Sequence, residues 1–263
     1  MYWADMRRPQ LEDCDKERIV VVPLGSMEQH GPHLPVITDT MLLSTVAERI
    51  EAELGDAVLM LPTLWLGSSD HHLDFAGAVS VSASLYSRVV RSVAESILKS
   101  GFRRILFLNG HGGNQNPAVG GLKELACESE AANSACIALA AYWELAEKSL
   151  KPELHGTQQA TLSHAGEYET SMMLFVSPDL VEMAAARSFE PVFGDRWWHS
   201  ETEGAVHVFK RMANLTHKGS MGLPDQATAG KGRTLIEAIT REVVAFMRDF
   251  AGWPEIPKHY GHT

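Results

Sequence analysis

The sequence predicts an α/β fold in which a parallel or mixed sheet carries helices on both faces. Two observations lead there. Short apolar runs of strand length alternate with amphipathic stretches of ten or more residues. The two motifs richest in chemistry then follow apolar runs directly, at the strand ends beyond which open α/β sheets bind their ligands.

Ile19-Val20-Val21-Val22-Pro23-Leu24 reads as a buried strand. Residues 40–53 have helical spacing, with Leu42, Leu43, Val46 and Ile50 on one side. Residues 58–62 form a second strand. Residues 82–100 form a helix, closed by Gly101 where a left-handed cap belongs. A third strand at 105–109, a helix at 117–129 and a fourth strand at 135–142 follow. Residues 167–175 read as helix, and 232–250 as a long terminal helix. Residues 189–222 are less regular and rich in Trp, His and Gly, as expected of an excursion over the sheet edge that serves as an oligomer contact or a lid. With no repeat, low-complexity tract or linker, residues 1–263 read as one domain.

Composition narrows the function classes. The chain has 263 residues, 45% of them hydrophobic and 21% charged, enough for a substantial core. No apolar run approaches the roughly 20 residues of a membrane span, and residues 1–8 do not resemble a signal peptide. Cys14, Cys127 and Cys136 are too few and too scattered for a disulfide framework, so a cytoplasmic protein with reduced thiols is expected. The net charge is −10 and no Lys/Arg stripe exists, which disfavours a nucleic-acid partner. Twelve histidines raise the expectation of metal binding or acid–base chemistry.

Three segments carry that expectation. The first runs from Pro23 to Asp39 and contains Glu28, His30 and Asp39. Glu28 and His30 are two apart, so in extended chain both side chains leave one face. Two prolines and a glycine then bend the chain back towards Asp39. Oxygen and nitrogen ligands converging in this way suit Zn²⁺, Mn²⁺ or Fe²⁺. The second segment is Asn109-Gly110-His111-Gly112-Gly113-Asn114, where glycines allow a tight turn and asparagines can orient the loop or a ligand. It lacks the endings of a phosphate loop and the spacing of a dinucleotide fingerprint. The third, from Ser163 to Ser171, places Glu167 and Glu169 in the first turn of a helix, where the dipole favours carboxylates. His164 stands at the mouth of that helix as a candidate general acid or base. Alone, this third segment would read as an ordinary helix start.

Other aromatic and imidazole groups carry less weight. His33 packs its turn or braces a ligand carboxylate. His71 and His72, after the second strand, read more readily as surface histidines than as pocket residues. Trp143, or Trp197-Trp198 and His199 from a neighbouring subunit, could cover a substrate, although such aromatics are more often core or interface.

Taken together, the segments 23–35 and Thr38-Asp39, Asn109 to Asn114, and His164-Ala165-Gly166-Glu167 to Ser171 resemble the creatininase (creatinine amidohydrolase) family. Order and separations fit as well, over nearly the whole chain. The resemblance implies a three-layer α/β/α sandwich with a mostly parallel central sheet. It also implies a site for two divalent ions per subunit and a homohexamer. Activities known in the family are opening of the creatinine ring, removal of a formyl group from a formylaminopyrimidine nucleotide, and trimming of a peptide during mycofactocin maturation. On the family's motif, Glu28, His30, Asp39 and His111 map onto metal ligands, with Asp39 bridging.

Creatininase proper has His-Tyr-Glu where this chain has His111-Gly112-Gly113, and a lid tryptophan where it has Gln159-Ala160-Thr161. The resemblance is therefore to a His-Gly-Gly-Asn branch, in which Glu167 is favoured as the fifth ligand and Glu169 stays open as the alternative. His164 would carry a proton to the departing nitrogen, and Glu169 would orient His164 or brace the loop. The expected reaction is hydrolysis of a non-peptide C–N bond in a small cyclic amide, formamide or related small-molecule substrate. Lactone or ester hydrolysis by the same site, and a metal-binding assembly role without catalysis, remain open. A serine hydrolase is disfavoured because no Gly-x-Ser-x-Gly elbow is present.

Overall fold

The computed structural model describes residues 1–160, 162–189 and 208–254. Its centre is a four-stranded parallel sheet, order β2-β1-β3-β4, made of β1 (Ile19–Leu24), β2 (Val58–Met60), β3 (Arg104–Asn109) and β4 (Cys136–Ala141). β1 and β3 pair along their full length, from Ile19 opposite Arg104 to Leu24 opposite Asn109. Five long helices flank the sheet: α1 (Thr38–Leu54), α2 (Ala83–Lys99), α3 (Gln115–Glu128), α4 (Glu167–Val176) and α5 (Ala229–Ala251).

Strand alternation divides the core in two. Ile19, Val21, Leu106 and Leu108 point to one face and pack on α1, α4 and α5. Val20, Val22, Ile105 and Phe107 point to the other and pack on α2 and α3. Both faces of the inner strands are apolar because both are covered. The result is the expected three-layer α/β/α sandwich. Among the described residues, no helix is long and apolar enough to cross a membrane.

Strand and helix positions follow the sequence closely, with shifts at the ends. Ser82 caps α2 by accepting from the Leu85 N–H, and Gly101 after it has φ +91°. α1 begins at Thr38, so Asp39 lies in its first turn and not in the preceding loop. The helix expected from residue 117 starts at Gln115. Phe189 and Gly222, the two ends of the irregular stretch, exchange two backbone hydrogen bonds of 2.9 and 2.6 Å. Trp197, Trp198 and His199 fall outside the described residues.

From β1 the chain moves to β2 on one side, and β3 lies on the other. The strand order therefore reverses between β1 and β3, the kind of switch point at whose carboxyl ends open α/β sheets bind ligands. The loops after Leu24 and Asn109 both start there.

The face carrying α4 and α5 has one point of closest approach. A Cβ on Gly232 would stand 1.8 Å from the Ser171 carbonyl oxygen. Gly232→Ala should force the helices apart and cost about 1–3 kcal/mol. The expected result is a melting temperature lower by several degrees, and an unchanged value would contradict the packing.

Candidate metal centre

The loop after β1 is shaped by close contacts. Gly25 has no room for a side chain, since a Cβ there would lie 2.5 Å from Thr40 Oγ1. Thr40 Oγ1 donates to the Ser26 carbonyl at 2.7 Å, and Ser26 Oγ donates to Asp39 Oδ2 at 2.6 Å. The Glu28 N–H donates to the Val36 carbonyl at 2.9 Å, which folds the loop back on itself. Gly31 turns it with φ +66°. Glu28, His30 and Asp39 thus arrive together from a strand end and a helix start.

The loop after β3 is held by its asparagines. Asn109 accepts from the His111 N–H at 3.1 Å and donates to the His111 carbonyl at 2.8 Å. Asn114 ties three loops, donating to the Gly25 carbonyl and accepting from the Ser68 N–H, both at 2.9 Å. His111 is thereby set against both carboxylates, with Nδ1 3.1 Å from Asp39 Oδ2 and Nε2 3.2 Å from Glu28 Oε2.

His30 completes the second flank. Its Nε2 lies 3.0 Å from Asp39 Oδ1 and 3.8 Å from Glu169 Oε2. Its Nδ1 lies 3.1 Å from the Glu28 carbonyl, which can only accept, so that nitrogen carries hydrogen. Glu169 is aimed here by Ala165, a non-glycine residue with φ +50°, whose N–H donates to Glu169 Oε2 at 2.6 Å. His164 enters at the edge, with Nδ1 3.6 Å from Glu28 Oε1 and Nε2 2.9 Å from the Gln29 carbonyl.

Three carboxylates in this space are buried: Glu28, Asp39 and Glu169 are 1%, 4% and 7% exposed. Burial, reinforced by Asp39, pushes Glu28 and Glu169 up to about 7. His30 and His111 respond in the opposite sense. Burial disfavours their protonation, yet the carboxylates outweigh it and raise them to about 10 and about 9. Asp39 is held well below the usual range because His30 and His111 outweigh its burial. Without a metal, these imidazoles carry the positive charge that the carboxylates require.

The donor set fits a divalent ion. Glu28 Oε2 is buried without a hydrogen bond, an acceptor left open for an ion. His111 Nε2, 3.2 Å from it, donates to the Ser68 carbonyl at 3.2 Å, so Nδ1, beside Asp39, is the nitrogen that His111 can offer an ion. Ligand atoms of His30, Asp39 and Glu169 lie within 4.8 Å of one another, as do those of Glu28, His71 and His111, and those of Glu28, His30 and His164. An all-N/O set suits Zn²⁺, Mn²⁺ or Fe²⁺.

One ligand expected from the sequence lies elsewhere in the structure. Glu167 is not in the cluster: it is fully buried on the opposite side of the α4 first turn. Its Oε1 pairs with Lys231 Nζ at 2.7 Å, and its Oε2 accepts from the Gln158 and Gln159 N–H groups, each at 2.7 Å. That carboxylate is fully engaged in joining α4 to α5. Glu169 faces His30 and Asp39 in its place.

The cluster also gains two residues that read as surface histidines. His72 is 1% exposed, with Nε2 3.3 Å from Glu28 Oε1, and its pKa is driven far down by burial and by His164. His71 is stacked on His111, with centroids 5.8 Å apart. Their doublet was a visible signal, but nothing local said that the loop folds inward. His33 braces the turn, with Nε2 2.9 Å from Thr170 Oγ1. Trp143 packs on the core edge-on to Tyr142.

Comparison with known proteins gives the family and the fold. A family model described as creatinine amidohydrolase matches residues 4–247. A mycofactocin precursor peptide peptidase of Mycobacterium tuberculosis is 31% identical over 250 residues, covering 90% of this chain and 86% of its own. A creatinine amidohydrolase of Pseudomonas putida is 27% identical over 250 residues, covering 90% of each chain. A solved structure described as creatininase with Mn superposes with a TM-score of 0.77 at 23% identity, covering 94% of this chain and 97% of its own.

The two acids of the α4 first turn should behave differently. Glu169→Gln should lower bound metal by about one ion per chain, whereas Glu167→Gln should leave metal content unchanged. Lys231→Met strands the buried Glu167 carboxylate and should cost about 3–5 kcal/mol without loss of metal. Metal analysis beside thermal melts separates these outcomes, and metal loss confined to Glu167→Gln would reverse the assignment.

Proposed function

The chain belongs to the creatininase family, and on that premise we propose that it is a metal-dependent hydrolase of amide-type C–N bonds. The observation that supports this reading most is the convergence of Glu28, His30, Asp39, His111 and Glu169, which with His71 and His164 form overlapping triads, beside a buried Glu28 oxygen that has no hydrogen bond. Glu28, Asp39 and His111 would hold one divalent ion, and His30, Asp39 and Glu169 the other, with Asp39 shared. Such ions lower the pKa of a bound water from about 15.7 towards 7 and polarise a substrate carbonyl.

The chain's own residues do the remaining work. Ser26 fixes Asp39 through the 2.6 Å hydrogen bond to Oδ2. The Glu28 carbonyl holds His30 with Nδ1–H outward, so Nε2 faces the carboxylates. His164 Nδ1, at the rim of the cluster, is placed to take a proton and return it to the departing nitrogen. A departing amide nitrogen needs that proton because it leaves poorly as an anion.

Substrate choice remains with the rim. A Cβ on Gly112 would meet nothing within 4 Å, so the position beside His111 is open. Creatinine is weakened as a substrate by the missing Tyr-Glu pair. The peptidase relative, at 31% identity, removes the reason to exclude peptide bonds. Zinc and manganese are the first metals to test, manganese being named for the solved neighbour.

Protein purified without chelator should carry about two ions per chain and lose activity on their removal. The substrate panel should hold creatinine, formamides, cyclic ureas and imides, short peptides and lactones. Turnover of lactones alone would transfer the site to ester chemistry, and absence of metal after reconstitution would overturn the reading. Within an active enzyme, His164→Asn should lower turnover by about 100-fold or more while retaining metal. Asp39→Asn should lose both, and equal metal loss in the two variants would contradict the division of roles.

A further inference from the structure

Gln29 lies between the metal ligands Glu28 and His30, and its side chain is buried. Two backbone groups decide which way its amide points. Oε1 accepts from the Gly31 N–H at 2.9 Å, and Nε2 donates to the Gly219 carbonyl at 3.0 Å. A backbone N–H only donates and a backbone carbonyl only accepts, so one amide orientation satisfies both. Gly219 is pressed against this amide: it has φ +83°, and a Cβ there would lie 1.9 Å from Oε1.

Nε2 has a second hydrogen and two imidazole nitrogens within reach, His72 Nδ1 at 2.9 Å and His164 Nε2 at 3.1 Å. The main-chain carbonyl of Gln29 discriminates between them. It lies 2.9 Å from His164 Nε2 and requires a donor, so that nitrogen carries its own hydrogen. The amide's second hydrogen is left for His72 Nδ1. Both neutral rings then have hydrogen on Nε2. They nevertheless meet Glu28 Oε1 in opposite senses. His72 presents Nε2–H at 3.3 Å, and His164 presents a bare Nδ1 at 3.6 Å.

We propose that Gln29 is a positioning residue whose main-chain carbonyl and side-chain amide impose the Nε2–H tautomer on both His164 and His72. His72 thereby faces Glu28 as a donor, while His164 keeps a bare Nδ1 at 3.6 Å, outside hydrogen-bond reach of that carboxylate. His72 pins one oxygen of Glu28 and leaves Oε2, which has no hydrogen bond, free for an ion. His164 keeps the lone pair that proton transfer needs. The opposite tautomer of His72 would set a lone pair against the carboxylate and an N–H against the Gln29 amide. The value of this arrangement to the site rests on the metal-dependent reading; the tautomers themselves do not.

The test is long-range ¹H–¹⁵N NMR of the full chain labelled in histidine, metal-free and zinc-loaded. The two rings are assigned by loss of their signals in His72→Gln and His164→Gln. The expected result is protonated Nε2 and unprotonated Nδ1 in both rings of the metal-free protein. Gln29→Glu, which can only accept at its end, should move His72 to the Nδ1–H form. Should that variant fail to fold, the wild-type spectrum still decides. Zinc competition gives a second readout. His72→Gln keeps a donor at the Nε2 position and should stay within about threefold of wild type, whereas His72→Leu should bind zinc about tenfold more weakly. Nδ1–H on wild-type His72, or equal weakening in both His72 variants, overturns the proposal. Expected tautomers in a protein that takes up no zinc would support Gln29's role while sinking the metal reading.

Discussion

Three buried carboxylates must share one small space, and the rest of the centre is arranged around that repulsion. Glu28, Asp39 and Glu169 would not stay ionised together in a dry interior without compensating charge. Asp39 and Glu169 both sit in first helical turns, where unsatisfied N–H groups favour anions. Two imidazoles supply the remaining charge as protons, and divalent ions would replace them. The same demand accounts for the strained backbone at Ala165, which aims an N–H at Glu169.

The α4 first turn shows how sharply geometry separates chemically identical side chains. Glu167 and Glu169 are two positions apart, which on an α-helix is about 200° of rotation. One must face the strand ends when the other faces away. Glu169 reaches the cluster, while Glu167 meets Lys231 from α5 and two backbone amides. The first contributes to the charge balance of the centre, the second to the seam between two helices.

Support for the ligands comes from groups that do not ionise. Asn109, Asn114 and Gln29 satisfy backbone groups whose roles are fixed, and Ser26 donates to the Asp39 carboxylate; each thereby sets the orientation of a neighbouring residue of the centre. A hydroxyl or amide can do this without adding to the local charge. Rigid loops at the β1–β3 switch point are the consequence, with His71 and His72 folded inward against His111 and Glu28.

The sequence by itself determined the layered α/β architecture, because strand and helix periods are local and the apolar runs show both. It also determined that Glu28, His30 and Asp39 belong with His111, since strand-end loops of a parallel sheet open on one side. It could not rank Glu167 against Glu169. That choice depended on where α5 brings Lys231, a contact 64 residues away along the chain. Nor could it bury His72, whose partners Gln29 and Glu28 lie more than 40 residues upstream. Tertiary structure decided these points because a side chain's role follows from what is packed against it, and those neighbours come from distant parts of the chain.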